Sequence, residues 1–259
     1  MLTSLNNPKV KEVINLRSRA RARREADAFL VEGLRMFVET PVEMIKETYV
    51  TEAFLKKNDK NAAVFKKLKQ LRYELVAEDV LQKMSDTQTS QGVLCVCKCM
   101  HYDKKQLLQG DFLLLLEDLQ DPGNLGTLFR TAEAAGVKGI IMTKGTVDVF
   151  NPKVVRSTMG SLLRMPFLYT EDMTALMEEL KDAGTSIYGA ALEGSEVYTE
   201  VSYGEKTAIL IGNEGAGLSD AILTHTTGNI RIPMSGVVES LNASVSGAIL
   251  LYEVKRQRS

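Results

Sequence analysis

The chain has 259 residues, 44% of them hydrophobic and 25% charged, with a formal net charge of −1. That is enough apolar content for one or two ordinary cores, and the near-neutral balance excludes a global positive field of the kind that collects nucleic acid. No apolar run reaches membrane-spanning length and no signal-peptide pattern opens the sequence, so a cytoplasmic protein without membrane partners is expected.

The average charge hides an asymmetry. Residues 1–24 carry seven basic side chains against one acid, a net of +6, which leaves −7 for the rest. Arg17, Arg19, Arg21, Arg23 and Arg24 are therefore candidate contacts to a polyanion such as RNA. The plainer alternative is a solvated amphipathic helix from Pro8 to about Ala22, with Val10, Val13 and Ile14 facing inward.

After the arm, "AFLVEG" (28–33) predicts a strand leading into a helix that ends before Pro41. "ETYVT" (47–51) predicts a second strand, and a Lys-rich helix follows around 61–69. "YELVA" (73–77) and "GVLCVC" (92–97) predict further strands, separated by a short helix and a polar turn. Cys95, Cys97 and Cys99 alternate along the last of these, which puts them on one strand face about 6.6 Å apart. Neither a disulfide framework nor a zinc knuckle has that odd count and spacing. With two histidines in the whole chain, both outside the glycine-rich loops, a His-based triad or metal site is excluded and no metal is expected. "HYDKKQLLQGD" (101–111) is polar and ends in Gly-Asp, which predicts a boundary between domains at 1–105 and 106–259.

From there strand and helix alternate. Strands are predicted at 112–117, 139–142, 164–169, 186–191, 208–212 and 230–233, and helices at 124–135, 152–162, 172–182, 217–224 and 240–257. Nearly continuous apolar strands separated by helices describe an α/β fold with a parallel sheet covered on both faces. Ligands of such sheets sit beyond the carboxyl ends of the strands, which directs attention to the loops after Glu117, Gly212 and Pro233.

Those three loops are the richest in Gly, Asn and Ser. "DLQDPGNLGTLFRTAEAAG" (118–136) offers Pro122 and Gly123 for a turn, Asn124 as a cap and Arg130 further along the helix. An arginine there is ordinarily just solvated; beside two other such loops it becomes a candidate for facing a phosphate. "IGNEGAGLSD" (211–220) packs Gly212, Gly215 and Gly217 around Asn213 and Glu214, in neither a dinucleotide-fold nor a Walker spacing. "IPMSGVVESLNASVSGAILLYE" (232–253) ends a strand at Pro233 and opens a long helix, with Ser240 or Asn242 as its cap. Its first turns hold small side chains that let another element pack closely.

Taken together, these three stretches resemble the ordered motifs of the SpoU (TrmH-type) RNA 2'-O-ribose methyltransferases, over the whole region from about 106 to 259. "FLVEGLRMFVET" and "SDTQTSQGVLCV" are similar to the family's smaller N-terminal substrate-binding domain, which has the L30e-like fold of ribosomal protein L30. The resemblance implies a trefoil-knotted (SPOUT-type) α/β methyltransferase domain, S-adenosylmethionine as cofactor, and a homodimer through the knotted domain. It implies cofactor contacts at Gly212, Ile232 and Leu241, and catalytic positions at Asn124, Arg130, Glu214, Ser240 and Asn242. Ala243 stands where the family more often has valine. The expected activity is methylation of a ribose 2'-hydroxyl, in ribosomal RNA of the large subunit rather than in tRNA. A non-catalytic RNA-binding or ribosome-assembly factor retaining the fold is the alternative, and the intact motifs count against it.

Overall fold

In the computed structural model, which describes residues 1–192 and 195–259, the chain opens on a capped helix. Asn7 accepts a hydrogen bond from the Lys9 amide at 2.9 Å and Pro8 fills the first helical position, so α1 (Pro8–Ser18) starts where both signals coincide. The helix expected to continue to Ala22 is instead broken. Arg19 is extended, and α2 (Ala20–Ala26) follows it. The break lets Arg23 fold back onto α1. Its guanidinium donates to the Leu16 and Arg17 carbonyls, acceptors that the end of α1 leaves open, and pairs with Asp148 at 2.6 Å. Val10, Val13 and Leu16 are buried and Ile14 is half-buried, as an inward face requires.

Next come β1 (Ala28–Glu32), α3 (Leu34–Glu39), β2 (Ile45–Val50) and α4 (Glu52–Lys57). They are followed by α5 (Ala62–Leu68), β3 (Glu74–Leu75), α6 (Glu78–Met84) and β4 (Val93–Lys98). These strands form one sheet in the order β1-β4-β2-β3, with β4 antiparallel to both neighbours and β3 parallel to β2. The strand expected over 73–77 shrinks to two residues, and α4 is an addition that the sequence pattern did not reveal. Cys95 and Cys97 are fully buried in β4, where burial pushes the Cys95 thiol up to about 12 and the Cys97 thiol well above its ordinary value. Thiols held in the protonated form are packing groups, not nucleophiles.

The remainder gives α7 (Lys104–Leu108), β5 (Phe112–Leu116), α8 (Pro122–Ala135), β6 (Gly139–Thr143), α9 (Pro152–Ser157) and β7 (Phe167–Thr170). Then follow α10 (Met173–Asp182), β8 (Ser186–Ala190), β9 (Glu196–Val197) and β10 (Thr207–Ile211). The chain ends with α11 (Asp220–Leu223), β11 (Gly228–Arg231) and α12 (Ala243–Gln257). Seven strands form a parallel sheet in the order β7-β6-β5-β10-β8-β11-β9. β5 and β10 are buried along their whole length, which is why both read as unbroken apolar runs. α12 packs against α8 through Gly247, where an added Cβ would lie 2.5 Å from a Leu128 methyl.

Two compact units result: Met1–Met100 together with Asp148–Leu163, and His101–Val147 together with Arg164–Ser259. The expected division was 1–105 and 106–259. The segment carrying α9 belongs with the N-terminal unit. Arg23 holds Asp148, Arg156 pairs with Asp86 at 2.7 Å, and the Phe150 ring lies 4.9 Å from that of Phe29. None of these partners is near in sequence, so a reading along the chain places the segment with its neighbours.

Arg23 is 4% exposed and bonded on all sides, so it is removed from the expected RNA-facing set. Arg17 donates to the Lys83 and Ser85 carbonyls, which leaves Arg19, Arg21 and Arg24 as the exposed arginines of the arm. Arg23→Ala leaves Asp148 Oδ2 and two carbonyls without the guanidinium; it is expected to lower stability by about 3 kcal/mol in urea unfolding. Arg24→Ala should change it by less than about 0.5 kcal/mol.

Candidate active site

β5 and β10 are neighbours in the sheet, so the loops that leave their carboxyl ends run side by side. In the first loop Asp121, not Asn124, caps α8: its Oδ1 accepts from the Asn124 amide at 2.8 Å, and Pro122 opens the helix. The helix therefore starts two residues earlier than expected, and Asn124 lies inside its first turn, buried. An in-helix position frees the Asn124 side chain from capping. Its Nδ2 donates to the Glu214 carboxylate at 3.0 Å, and its Oδ1 accepts from Asn242 Nδ2 at 2.9 Å. One buried amide thus joins the second and third loops, using one donor and one acceptor.

Each partner is fixed in turn. The Glu214 carboxylate accepts the backbone amides of Gln120 at 3.0 Å and Asp121 at 2.9 Å. Asn242 caps α12, its Oδ1 accepting from the amides of Ser244 at 2.9 Å and Val245 at 3.3 Å and from the Ser244 hydroxyl at 2.7 Å. The glycine loop closes on itself through paired backbone bonds between Asn213 and Gly217, both at 3.0 Å. A Cβ on Gly212 would lie 2.3 Å from the Gly217 carbonyl, so closure requires glycine there. Asn213 also donates to the Asp118 carbonyl at 2.8 Å, and Glu117 accepts from the Ser219 amide and hydroxyl at 2.9 and 2.6 Å.

Beyond the strand ends lies a cleft of about 520 Å³, the size of a small-molecule site. Gly212, Ile232 and Leu241, expected as cofactor contacts, all line it, as do Glu214 and Ser240. Leu192, Leu218, Met234 and Leu250 give it apolar walls, while the loop backbone, Arg231 and Glu239 supply polar edges. An apolar wall for a base with polar edges for an amino acid and ribose is a donor set that fits S-adenosylmethionine. Asn124 and Asn242 stand behind Glu214 rather than in the lining. Arg130 is exposed on α8 and outside the lining; at about 100° per residue, six residues carry it roughly 240° around the helix from Asn124. Asp118 was not singled out from sequence, and Glu117 and Asn213 were noted only as loop residues, with no role given. The signal was present in Glu117, a carboxylate closing an otherwise apolar strand.

Burial acts to raise the Glu214 carboxyl, but hydrogen bonds from the Gln120 amide, the Asn124 side chain and the Asp121 amide outweigh it and hold the group below its usual range.

A family model described as the SpoU rRNA Methylase family matches residues 111–252, and one described as the MRM3-like substrate binding domain matches residues 7–95. The 23S rRNA (guanosine(2553)-2'-O)-methyltransferase RlmP of Bacillus subtilis is 33% identical over 98% of both chains. Among solved structures, the SpoU methyltransferase AviRb from Streptomyces viridochromogenes in complex with AdoMet superposes with a TM-score of 0.86, at 28% identity and 98% coverage of each chain. An AdoMet-bound rRNA methyltransferase from Sinorhizobium meliloti gives 0.83, also at 28% identity, covering 98% of this chain and 97% of that one. A cleft at the ends of parallel strands, walled by three cross-linked loops, is the ligand site of an α/β fold, and the chain belongs to the SpoU rRNA methylase family. It is an S-adenosylmethionine-dependent RNA methyltransferase.

Because the folded Glu214 value lies below the ordinary 4.5, its anchoring is present above that pH and is lost as pH falls through the lower folded value. Glu214→Gln is expected to lower stability at neutral pH by about 1 kcal/mol. The gap to the parent should close as pH falls below the ordinary 4.5 and through the lower folded value, as read from urea unfolding at each pH.

Proposed function

We propose that this protein methylates a ribose 2'-hydroxyl of large-subunit ribosomal RNA in the cytoplasm, as a homodimer through its knotted methyltransferase domain. The observation that carries the site is the Glu214–Asn124–Asn242 chain, which fixes all three loops around one cleft. The ribosomal target is supported by end-to-end similarity to an enzyme whose name specifies 23S rRNA, and by the added substrate-binding unit. No helix among the described residues is long and apolar enough to cross a membrane.

When bound, S-adenosylmethionine supplies an electrophilic methyl on a sulfonium. The protein's own task is then to align the hydroxyl in line with it and to help remove a weakly acidic proton. Gly212, Ile232 and Leu241 are the cofactor contacts in this reading, Glu214, Asn124 and Asn242 hold the walls in register, and Ser240 faces the cleft as a further catalytic position. Alignment of this kind is worth several kcal/mol, up to about 7–11 in ideal cases. Arg130 orients the RNA and aids proton loss. Its place outside the lining fits a site completed across a subunit interface. Val245 and Tyr252, seven residues apart on α12 and 46% and 48% exposed, give that helix an outward apolar stripe suited to such an interface.

Methyl-labelled cofactor, incubated with rRNA and tRNA pools from cells lacking the protein, tests the reading. The expected product is one rRNA site resistant to alkaline cleavage, and label confined to tRNA would overturn the ribosomal target. Arg130→Ala should reduce transfer by about 100-fold or more while cofactor affinity, measured by calorimetry, stays within about threefold. Joint replacement of Arg19, Arg21 and Arg24 by Gln should lower the salt slope of RNA binding by about 2. An unchanged slope would make those arginines a solvated face.

A further inference from the structure

The segment from α4 through α5 to Tyr73 carries a second concentration of positive charge, apart from the arm. Residues 52–73 hold seven cations against two acids, Glu52 and Asp59. Lys67 is turned inward, donating to the Val38 carbonyl at 3.0 Å and to that of Thr40. The other six, Lys56, Lys57, Lys60, Lys66, Lys69 and Arg72, are exposed. Among them lie two aromatic rings that the core does not take. Phe65 is 55% exposed and Tyr73 42%, and both line one groove of about 370 Å³ with Leu55 and Leu68. Asp59 is the one acid in that lining. Lys69 places its ammonium 4.4 Å from the Phe65 ring centroid, so cation and ring are presented together.

From this arrangement we infer that the α4–α5 face is a docking site for unpaired RNA, with a base stacked on Phe65 and Tyr73 and the flanking phosphates on Lys66, Lys69 and Arg72. The inference rests on the RNA substrate proposed above and assigns part of its recognition to residues that none of the motifs contains. Charge complementarity selects the occupant. An apolar peptide would account for the rings but gain nothing from six cations, whereas a polyanion with flat apolar bases uses both. Single strands are favoured over duplex because a protein ring reaches the face of a base only when that base is unstacked from its own neighbours.

The test uses the full chain and a fluorescently labelled single-stranded oligouridylate of about twelve nucleotides, with an RNA duplex of equal length as control. The unsubstituted protein is expected to bind the single strand more tightly than the duplex. Phe65→Ala with Tyr73→Ala should weaken single-strand binding by about tenfold or more. Phe65→Leu, which keeps the apolar bulk without the ring, should also lose affinity, and Phe65→Trp should retain it. Lys66→Gln with Lys69→Gln should lower the salt slope by about 1. Thermal unfolding of each variant separates lost binding from lost folding. Unchanged affinity in the aromatic variants overturns the inference. So does failure of the unsubstituted protein to bind the oligomer, which would hand the groove to a protein segment. Methyl transfer to rRNA, assayed in parallel, keeps the two readings apart. Transfer that persists while the oligomer ignores Phe65 and Tyr73 removes only the groove, whereas absence of transfer by the unsubstituted protein removes the proposed activity.

Discussion

One buried asparagine holds the catalytic unit's loops in a common frame. Asn124 gives its amide to Glu214 and takes a hydrogen bond from Asn242, so loops separated by roughly a hundred residues meet at a single side chain. Neither neighbour is free to drift: Glu214 is tied to two amides of the first loop, and Asn242 caps α12. The placement of Asn124 depends on Asp121 doing the capping. If Asn124 were itself the cap, its oxygen would face the helix amides and the link to Asn242 would be lost. The ordinary physics of a helix start therefore decides whether the cleft has a fixed third wall.

The same economy appears where α12 meets α8. Gly247 removes the one side chain that would collide with Leu128, and this close approach brings the N-terminus of α12, with Asn242 on it, to the start of α8. Gly212 plays a comparable part within its loop, where backbone meets backbone and any side chain would hold the turn open. Gly212 and Gly247 are thus explained by packing and Gly217 by its left-handed backbone, while the cleft lining is supplied largely by backbone and apolar side chains around them.

In the N-terminal unit, basic residues divide into those that build and those that face solvent. Arg23 and Arg17 donate to carbonyls at helix ends, and Lys67 is turned inward toward carbonyls with its ammonium over the Phe37 ring. Arg19, Arg24 and the lysines around Phe65 stay outside. Charge counted along the sequence treats these alike. Arginine donates in several directions at once, so a carbonyl cluster recruits it as readily as a phosphate does.

By itself the sequence determined the parallel sheet, through apolar strands too continuous to have a wet face, and pointed to the three loops rich in Gly, Asn and Ser that meet around one cleft. It also determined Cys95 and Cys97 as strand packing, since alternate positions on an apolar strand share a buried face, whereas Cys99 lies past the end of β4 and is half-buried. Only the tertiary structure decided that α9 joins the N-terminal unit, that Arg23 is interior, and that Asn124 links loops rather than caps a helix. Periodicity and turn chemistry are local, and a sequence displays them directly. The partners of Arg23, Asp86 and Asn124 come from elsewhere in the chain, and those contacts exist only once the fold has closed.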